Sequence, residues 1–368
     1  MIKLLFCFIN SFILLFPLIS NASEHIGFKR IHYDIQDGRP LDIAVWYATN
    51  NKQNLITIAD NAIFDGSEVI ADAVPEIKST KSPLILLSHG YGGSWRSLSW
   101  LAHALATKGY IVAAPNHPGT TGFDQNTEQS AKLWLRPQDL SKTIDALAEN
   151  QTFSNIINLN QISAIGHSLG GWSVIALSGA RFDTESFKKD CNKYSYLKAC
   201  HLISELGLAN SELNKNMSDP RIKTFVSLDA GLTRGFTIES LQKIKMPSLI
   251  IGAGVDIGDT NTQLESGYVQ EFLPKSSSTY IIIPDAMHFS FIQICKSNAI
   301  DILNQEKEGE GIICKDGGSR NRSEIHREIT HLIVDFLSKT FSNYKTDFKK
   351  TALNDAISYY SYNRLYPL

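Results

Sequence analysis

Uninterrupted apolar segments of strand length alternate with segments of helical spacing over most of the chain after Pro83. Helical spacing is found, for example, from Leu98 to Thr107, from Leu140 to Glu149 and from Glu324 to about Lys339. The apolar segments are Leu84 to Leu87, Ile111 to Ala114, Ile162 to Ile165, Thr224 to Leu228, Ser248 to Ile251 and Tyr280 to Ile283. Strands that are apolar on both faces need cover on both faces. The alternation therefore predicts an α/β fold with a mostly parallel central sheet between layers of helices.

The remaining segments suggest how the chain is organised. Phe28 to Ile35 and Leu41 to Tyr47 are typical of antiparallel strands added at one edge of the sheet. The globular domain is predicted to cover residues 23–341, followed by a C-terminal extension over 342–368. Three irregular stretches interrupt the rhythm, at residues 50–81, 182–220 and 305–323. The insertion 182–220 is predicted to form a lid or pocket wall, with surface decoration as the alternative.

Residues 1–22 are predicted to be a cleaved signal peptide, which implies a periplasmic or secreted protein. An apolar run from Leu4 to Ile19 follows a lysine near the start, and the small residues Ser20 and Ala22 precede the expected cleavage site. A permanent membrane anchor is the alternative. The short run, with Pro17 close to its end, disfavours it.

Four cysteines follow the predicted cleavage site: Cys191, Cys200, Cys295 and Cys314. An even number in an exported chain suggests two disulfides, and the short separations favour pairing the first with the second and the third with the fourth. Four free thiols are the alternative. A zinc site is disfavoured because none of the four has the close C-x-x-C spacing of structural zinc sites.

The segment "SAIGHSLGGW" contains Ser168 at the point where a predicted strand ends and a predicted helix begins. A serine on such a turn is crowded by strand and helix, so the residues two positions away must be tiny, as Gly166 and Gly170 are. The positive end of the helix would also favour negative charge there. The pattern indicates a nucleophilic serine, whereas a glycine-rich loop with no chemistry is the simpler alternative.

Backbone amides that stabilise an oxyanion are expected from two places. One is Leu169, directly after the serine, and the other is Tyr91 in "LILLSHGYGGSW", where a strand runs into a glycine-rich loop. A plain glycine turn is the alternative for the second loop. His89 and His167 adjoin these loops, but we interpret both as structural because His167 is the immediate neighbour of Ser168.

The histidine and the acid are expected after Ser168, in the order serine, acid, histidine. The histidines that follow it are His201, His288, His326 and His331. His288 alone lies in a loop directly after a predicted strand, so it is the predicted base. Asp256 and Asp229 each follow an apolar strand in the required interval. Asp256 is preferred as the acid and Asp229 is the alternative, whereas Asp285 is interpreted as a turn residue.

The motifs together resemble the α/β-hydrolase superfamily, in particular exported dienelactone-hydrolase-like and platelet-activating-factor-acetylhydrolase-like proteins. The matching segments, which span Ser82 to Leu337, are "SHGYGG", "APNHPG", "RPQD", "GHSLGG", "LDAGL", "IGAGVD" and "HFSFIQIC". The resemblance implies a serine esterase with the α/β-hydrolase fold. Dienelactone hydrolases carry cysteine where this chain has Ser168, which argues against that substrate. In acetylhydrolase-like members the acid follows the earlier strand, which would correspond to Asp229.

These observations predict an exported serine hydrolase that cleaves small-molecule or lipid carboxylic esters through an acyl-enzyme intermediate. A phospholipase A or acetylhydrolase-like lipid esterase is the alternative, although the polar segment "KKDCNKYSYLK" weakens an apolar lid. A noncatalytic binding protein on a hydrolase scaffold is a further alternative. A net charge of -2 gives no reason to expect nucleic-acid binding. No metal or organic cofactor is expected, and transient contact with a membrane surface is left open.

Overall fold

Among the described residues, ten of the eleven strands lie side by side in one sheet, which leaves out only the two-residue strand, and they include all the apolar segments predicted as strands. The computed structural model describes residues 25–342. The predicted signal peptide lies outside the described residues, as does the predicted C-terminal extension after its first residue. The strands are β1 (His25–Tyr33), β2 (Leu41–Thr49), β3 (Leu55–Ile58), β4 (Ser67–Ala71), β5 (Ser82–Ser88), the two-residue β6 (Gly92–Gly93), β7 (Ile111–Pro115), β8 (Ile157–His167), β9 (Ile222–Leu228), β10 (Ser248–Ala253) and β11 (Ser278–Ile283).

Helices connect the strands and cover both faces of the sheet. They are α1 (Ser99–Ala106), α2 (Thr127–Ser130), α3 (Leu135–Glu149), α4 (Leu169–Leu177), α5 (Thr184–Lys193), α6 (Lys198–His201), α7 (Ile238–Gln242), α8 (Ser266–Phe272), α9 (Ala299–Glu306) and α10, which runs from residue 322 to the end of the described range. Short 3₁₀ helices lie at Trp95–Leu98, Ser211–Asn214, Thr233–Gly235, His288–Phe291 and Glu310–Cys314. Within residues 25–342, no helix is both long and apolar enough to cross a bilayer.

The strand order is β11-β10-β9-β8-β5-β7-β2-β1-β4-β3. The six strands from β11 to β7 pair in parallel, whereas β2 is antiparallel to both β7 and β1. The predicted α/β fold with a mostly parallel sheet is therefore confirmed. The carboxyl ends of the parallel strands lie at one edge of the sheet, which is where ligands bind in open α/β folds.

The sheet separates two apolar cores, and β5 contributes to both. Leu84 and Leu86 pack with α3 and α4, while Ile85 and Leu87 pack with α1 and α10 on the opposite face. Successive side chains of a strand point to opposite faces, so a strand covered on both sides is apolar at every position. Each fully buried aliphatic side chain of this kind contributes about 1.5–3 kcal/mol to folding.

The stretch 50–81, read as irregular from its sequence, contains two strands. β3 and β4 pair with each other, and β4 also adds in parallel to β1, so the sheet extends beyond the predicted edge. Leu55 and Ile56 are exposed, while Ile58, Val69 and Ile70 are buried. The pattern is difficult to read from sequence because these strands are short and β3 buries a single residue.

The insertion 182–220 packs against the domain through its apolar residues. Those buried are Phe182, Phe187, Leu197, Leu206, Leu208, Leu213 and Met217. A disulfide joins Cys191 to Cys200, with a Cα–Cα distance of 5.4 Å, and another joins Cys295 to Cys314, at 5.7 Å. These are the two pairings that the sequence separations favoured. The first disulfide lies within the insertion 182–220, and the second joins a residue before the stretch 305–323 to one inside it.

Candidate active site

Ser168 lies on the tight turn between β8 and α4. Its backbone has φ 55° and ψ -120°, a conformation that costs a residue with a side chain about 1–3 kcal/mol. The amide of Ser168 donates to the carbonyl of Leu228 at 3.0 Å, and its own carbonyl accepts the first helical bond from Trp172 at 3.2 Å. The surrounding backbone therefore holds the serine in this conformation at the amino end of α4.

The glycines of the motif allow three backbone segments to meet beneath the serine. A Cβ atom on Gly166 would lie 2.0 Å from the carbonyl oxygen of Gly170, and one on Gly170 would lie 1.9 Å from the carbonyl oxygen of Ser88. Both distances are far below van der Waals contact with backbone atoms that cannot rotate away. The end of β5, the end of β8 and the first turn of α4 are consequently in direct backbone contact.

A chain of hydrogen bonds connects Ser168, His288 and Asp229. The imidazole Nε2 of His288 lies 3.0 Å from the hydroxyl oxygen of Ser168, and its Nδ1 lies 2.6 Å from Oδ2 of Asp229. Asp229 is 1% exposed and His288 is 6% exposed. The Asp229 carboxylate accepts a hydrogen bond from the Nδ1–H group of His288. The lone pair of Nε2 is therefore free to accept the serine proton.

The surroundings of Asp229 stabilise its charged form. Its other carboxylate oxygen accepts hydrogen bonds from the amide of Ala253 at 3.0 Å and the hydroxyl of Thr262 at 3.3 Å. Burial by itself would raise the pKa of Asp229, but the hydrogen bond and charge of His288, with the Ala253 amide, outweigh burial and lower that pKa. Thr262 was not identified from the sequence, where nothing distinguishes it from other loop threonines.

Asp256, the preferred acid from the sequence, does not contact His288. It is exposed, and its carboxylate instead accepts from the amide of Gly258 at 2.7 Å and the side chain of Asn261 at 2.6 Å. Strand β10 ends at Ala253, so Asp256 lies three residues out in the following loop, whereas Asp229 directly follows β9. The alternative acid, held at the very end of its strand, is therefore the one that contacts the histidine.

The predicted oxyanion donors lie on either side of the serine. Tyr91 and Leu169 line the same cavity as Ser168 and His288. A Cβ atom on Gly90 would lie 3.2 Å from the Cβ of Ser168, so the loop that contains Tyr91 runs directly against the serine. The two amides thus belong to segments that converge at Ser168, as a pair of oxyanion donors must.

The other histidines near the site make backbone contacts. Nε2 of His167 donates to the carbonyl of His288 at 2.9 Å, and burial, together with the nearby charge of His288, lowers the pKa of His167 to about 3. Nε2 of His89 accepts from the amide of His117 at 3.0 Å. His326 stacks on Trp100 and bonds a backbone carbonyl. Their contacts match a structural role.

A cavity of about 310 Å³ opens over Ser168. The insertion 182–220 and the segment 309–313 both contribute to its walls. Its aliphatic lining residues are Leu169, Ala199, Leu202, Leu206, Leu232, Ile257, Ile312 and Ile313. Three acidic residues also line it, Asp259, Glu265 and Glu310, against a single cation, Lys198. Burial raises the pKa of Glu265 to about 7, although two hydrogen bonds from Thr233 oppose that rise.

Two further features concern the chemistry of the site. No group of three or more His, Cys, Asp or Glu side chains with the arrangement of a metal site occurs among residues 25–342. The motifs "APNHPG" and "RPQD" contribute a buried group of polar side chains beneath the loop of Tyr91, and their sequence alone did not reveal that location.

Comparison with known proteins identifies related hydrolases. The chlorophyllase family model matches residues 45–361. Cutinase est1 of Thermobifida alba is 26% identical over 210 residues, which cover 56% of this chain and 53% of the cutinase. Dipeptidyl aminopeptidase BIII of Pseudoxanthomonas mexicana is 27% identical over 219 residues, which cover 56% of this chain and 30% of the peptidase. The matches thus span about half or less of these two relatives.

A solved structure shares the fold. The ferulic acid esterase from Streptomyces cinnamoneus superimposes with a TM-score of 0.56 at 18% sequence identity, covering 86% of this chain and 89% of the esterase. At this identity the likeness concerns the fold.

The close contact at Gly170 leads to a prediction about stability. We expect Gly170→Ala to lower the free energy of unfolding by about 3 kcal/mol, because the added methyl group meets backbone atoms of β5. Gly231→Ala is the matched control, since an added Cβ there has nothing within 4 Å. Urea denaturation of the two variants measures the difference, and equal unfolding free energies would contradict the steric account of the turn.

Proposed function

This chain belongs to the chlorophyllase family, and on that basis we propose that it is a carboxylic ester hydrolase with Ser168 as its nucleophile. The observation that carries the proposal is the hydrogen-bonded chain from Ser168 through His288 to Asp229. A nucleophile, a base and an orienting acid within hydrogen-bonding distance are what a serine hydrolase requires. The sequence match to a cutinase supports the same reaction class.

The proposed reaction has two halves. The hydroxyl oxygen of Ser168 bonds to the ester carbonyl carbon while Nε2 of His288 accepts the hydroxyl proton. The carbonyl oxygen becomes an anion, which the amides of Tyr91 and Leu169 stabilise. The C–O bond to the alcohol then breaks, and His288 returns the proton to the departing alcohol. Water attacks the acyl-enzyme in the same way and releases the acid. Asp229 stabilises the imidazolium formed in each half.

The cavity supports uncharged esters with a modest apolar group as substrates. Its volume is at the lower end of the range for ligand pockets, and its aliphatic lining would exclude water from such a group. Asp259 and Glu310 would repel a negatively charged substituent, whereas Glu265, whose pKa burial raises to about 7, is only partly charged at neutral pH. Helix α5, which belongs to the insertion, exposes Lys188, Lys189 and Lys193, so its outer face lacks the apolar surface of a bilayer-inserting lid.

Export is the proposed route for this enzyme. The predicted signal peptide motivates it, and the two disulfides support it because such bonds persist in oxidising compartments.

A fluorophosphonate probe tests the nucleophile. We expect the folded protein to be labelled at Ser168, because a serine whose proton is accepted by a neighbouring imidazole displaces fluoride from the probe and becomes phosphonylated. Mass mapping of the labelled peptide identifies the site, and Ser168→Ala is the control that should stay unlabelled. A folded wild-type protein without an adduct on Ser168 would refute the serine mechanism.

Paired aspartate substitutions test the acid. We expect Asp229→Asn to lower kcat by about 10⁴-fold, because the imidazole loses the carboxylate that orients and charges it. Asp256→Asn should leave kcat within about threefold of the wild type, since that side chain forms hydrogen bonds to Gly258 and Asn261 of its own loop. The measurement is steady-state hydrolysis of a p-nitrophenyl ester. Similar losses in the two variants would be inconsistent with this assignment.

A pair of esters of equal length tests the substrate class. We expect kcat/KM for p-nitrophenyl butyrate to exceed that for the anionic p-nitrophenyl succinate by about tenfold or more, through repulsion by the acidic lining. Glu310→Gln should lower the ratio of kcat/KM for butyrate to kcat/KM for succinate, because it removes one of the repelling charges. Preference for succinate would exclude this substrate class, and faster cleavage of phosphatidylcholine vesicles than of butyrate would favour the lipid-esterase alternative.

A further inference from the structure

Arg136 is a buried guanidinium that the proposed reaction does not use. It belongs to the "RPQD" motif at the start of α3 and is 1% exposed. Its Nε donates to the hydroxyl of Ser173 at 3.0 Å and its Nη1 to the hydroxyl of Thr120 at 2.6 Å. Its Nη2 donates to the carbonyl of His89 and, at 3.4 Å, to the hydroxyl of Ser88. Each nitrogen of the guanidinium therefore has at least one hydrogen-bond partner.

Two of these partners lie on the segments that carry the proposed oxyanion amides. His89 is two residues before Tyr91 in the same loop. Ser173 is one turn after Leu169 in α4, and its hydroxyl donates to the Leu169 carbonyl at 3.0 Å. One rigid planar group thus bridges the loop and the helix whose amides must converge on a single oxygen atom.

Arg136 makes no hydrogen bond to a carboxylate, although the charge of Asp139 nearby opposes the lowering of its pKa by burial. The nearby carboxylate, Asp139, accepts two bonds from Arg39 at 2.7 and 2.8 Å and one from Nδ1 of His117 at 2.9 Å. All the hydrogen-bond acceptors of Arg136 are neutral oxygens.

The buried group formed by Arg39, Arg136, Asp139, His89 and His117 therefore carries excess positive charge. Burial lowers the pKa values of His89 and His117 well below the ordinary range, so both rings are neutral. Burial also lowers the pKa of Arg136 to about 9, which leaves it charged at neutral pH. Two guanidinium groups and one carboxylate leave one positive charge in excess.

Holding an uncompensated charge in the interior is costly, and sites that do so commonly serve catalysis or binding. Negative charge that develops next to the loop and α4 would offset this cost. In the proposed reaction such charge develops on the substrate oxygen.

We propose that Arg136 is the positioning residue of the oxyanion hole: it holds the Tyr91 loop and α4 in register, and its unneutralised charge favours the oxyanion over the uncharged ester. The inference rests on the proposed function. It assigns a role to a residue that does not contact the substrate and acts through the two amides.

The test uses Arg136→Met and Arg136→Lys in the full chain, assayed with p-nitrophenyl butyrate. A group that acts on the oxyanion alone lowers kcat without changing ground-state binding, so we expect Arg136→Met to lower kcat by about 10²–10³-fold with KM within about threefold. Arg136→Lys keeps the charge but not the planar fork of the guanidinium, and we expect it to lower kcat by about tenfold. Affinity for a trifluoromethyl ketone, whose adduct with serine is an oxyanion, should fall in parallel with kcat/KM.

Arg221→Met is the matched control for a purely structural arginine. Arg221 pairs with Asp219 and Asp145 and is about one-third exposed. Its loss should lower the melting temperature while kcat and the inhibitor affinity stay unchanged. An Arg136→Met protein with the same profile as Arg221→Met, or one that changes KM alone, would overturn the inference.

Ser173→Ala gives an independent test if Arg136→Met does not fold. It removes the contact of Arg136 with α4 and should lower kcat by about tenfold. Folded Ser173→Ala and Arg136→Lys proteins with wild-type kcat would overturn the inference. Fluorophosphonate labelling of wild-type Ser168 separates the two failures: an unlabelled wild type refutes the proposed function and this inference with it, whereas a labelled wild type with unimpaired Arg136 variants refutes the inference alone.

Discussion

The close backbone contact between the end of β5, the end of β8 and the first turn of α4 is the constraint on which the site depends. It is made possible by Gly166 and Gly170, at which an added methyl group would overlap carbonyl oxygens. The same contact forces Ser168 into the left-handed region and exposes its hydroxyl at the amino end of a helix. A strained but buried turn persists because the two apolar cores on either side of the sheet hold the strands and α4 in place.

The parallel sheet brings the other groups to the same edge. The Tyr91 loop, Ser168 and Asp229 follow β5, β8 and β9, which are neighbours in the sheet, and His288 follows β11. Side chains far apart in the chain therefore converge without any local sequence signal, because the carboxyl ends of parallel strands face one way. The order of strands across the sheet decides which of them meet.

The cavity is built from the excursions that leave this edge. The insertion 182–220 presents Leu202 and Leu206 to the cavity, and the segment 309–313 presents Ile312 and Ile313. A disulfide closes a short loop in or beside each excursion, which reduces the conformational freedom that an irregular wall would otherwise have in the unfolded chain. The walls are thus ordered by covalent links and apolar packing, and their outer surface stays polar.

The sequence by itself determined the α/β fold, the turn at Ser168 and His288 as the histidine after the last strand, because these depend on local periodicity and on order along the chain. It did not predict β3 and β4, whose short strands bury few residues. Only the tertiary structure decided that Asp229, and not Asp256, lies within hydrogen-bonding distance of His288, and it brought Arg136 beneath the Tyr91 loop. The physical reason is that strands are placed side by side by packing between distant segments, so two aspartates after similar apolar strands look alike until the neighbour of β8 is known.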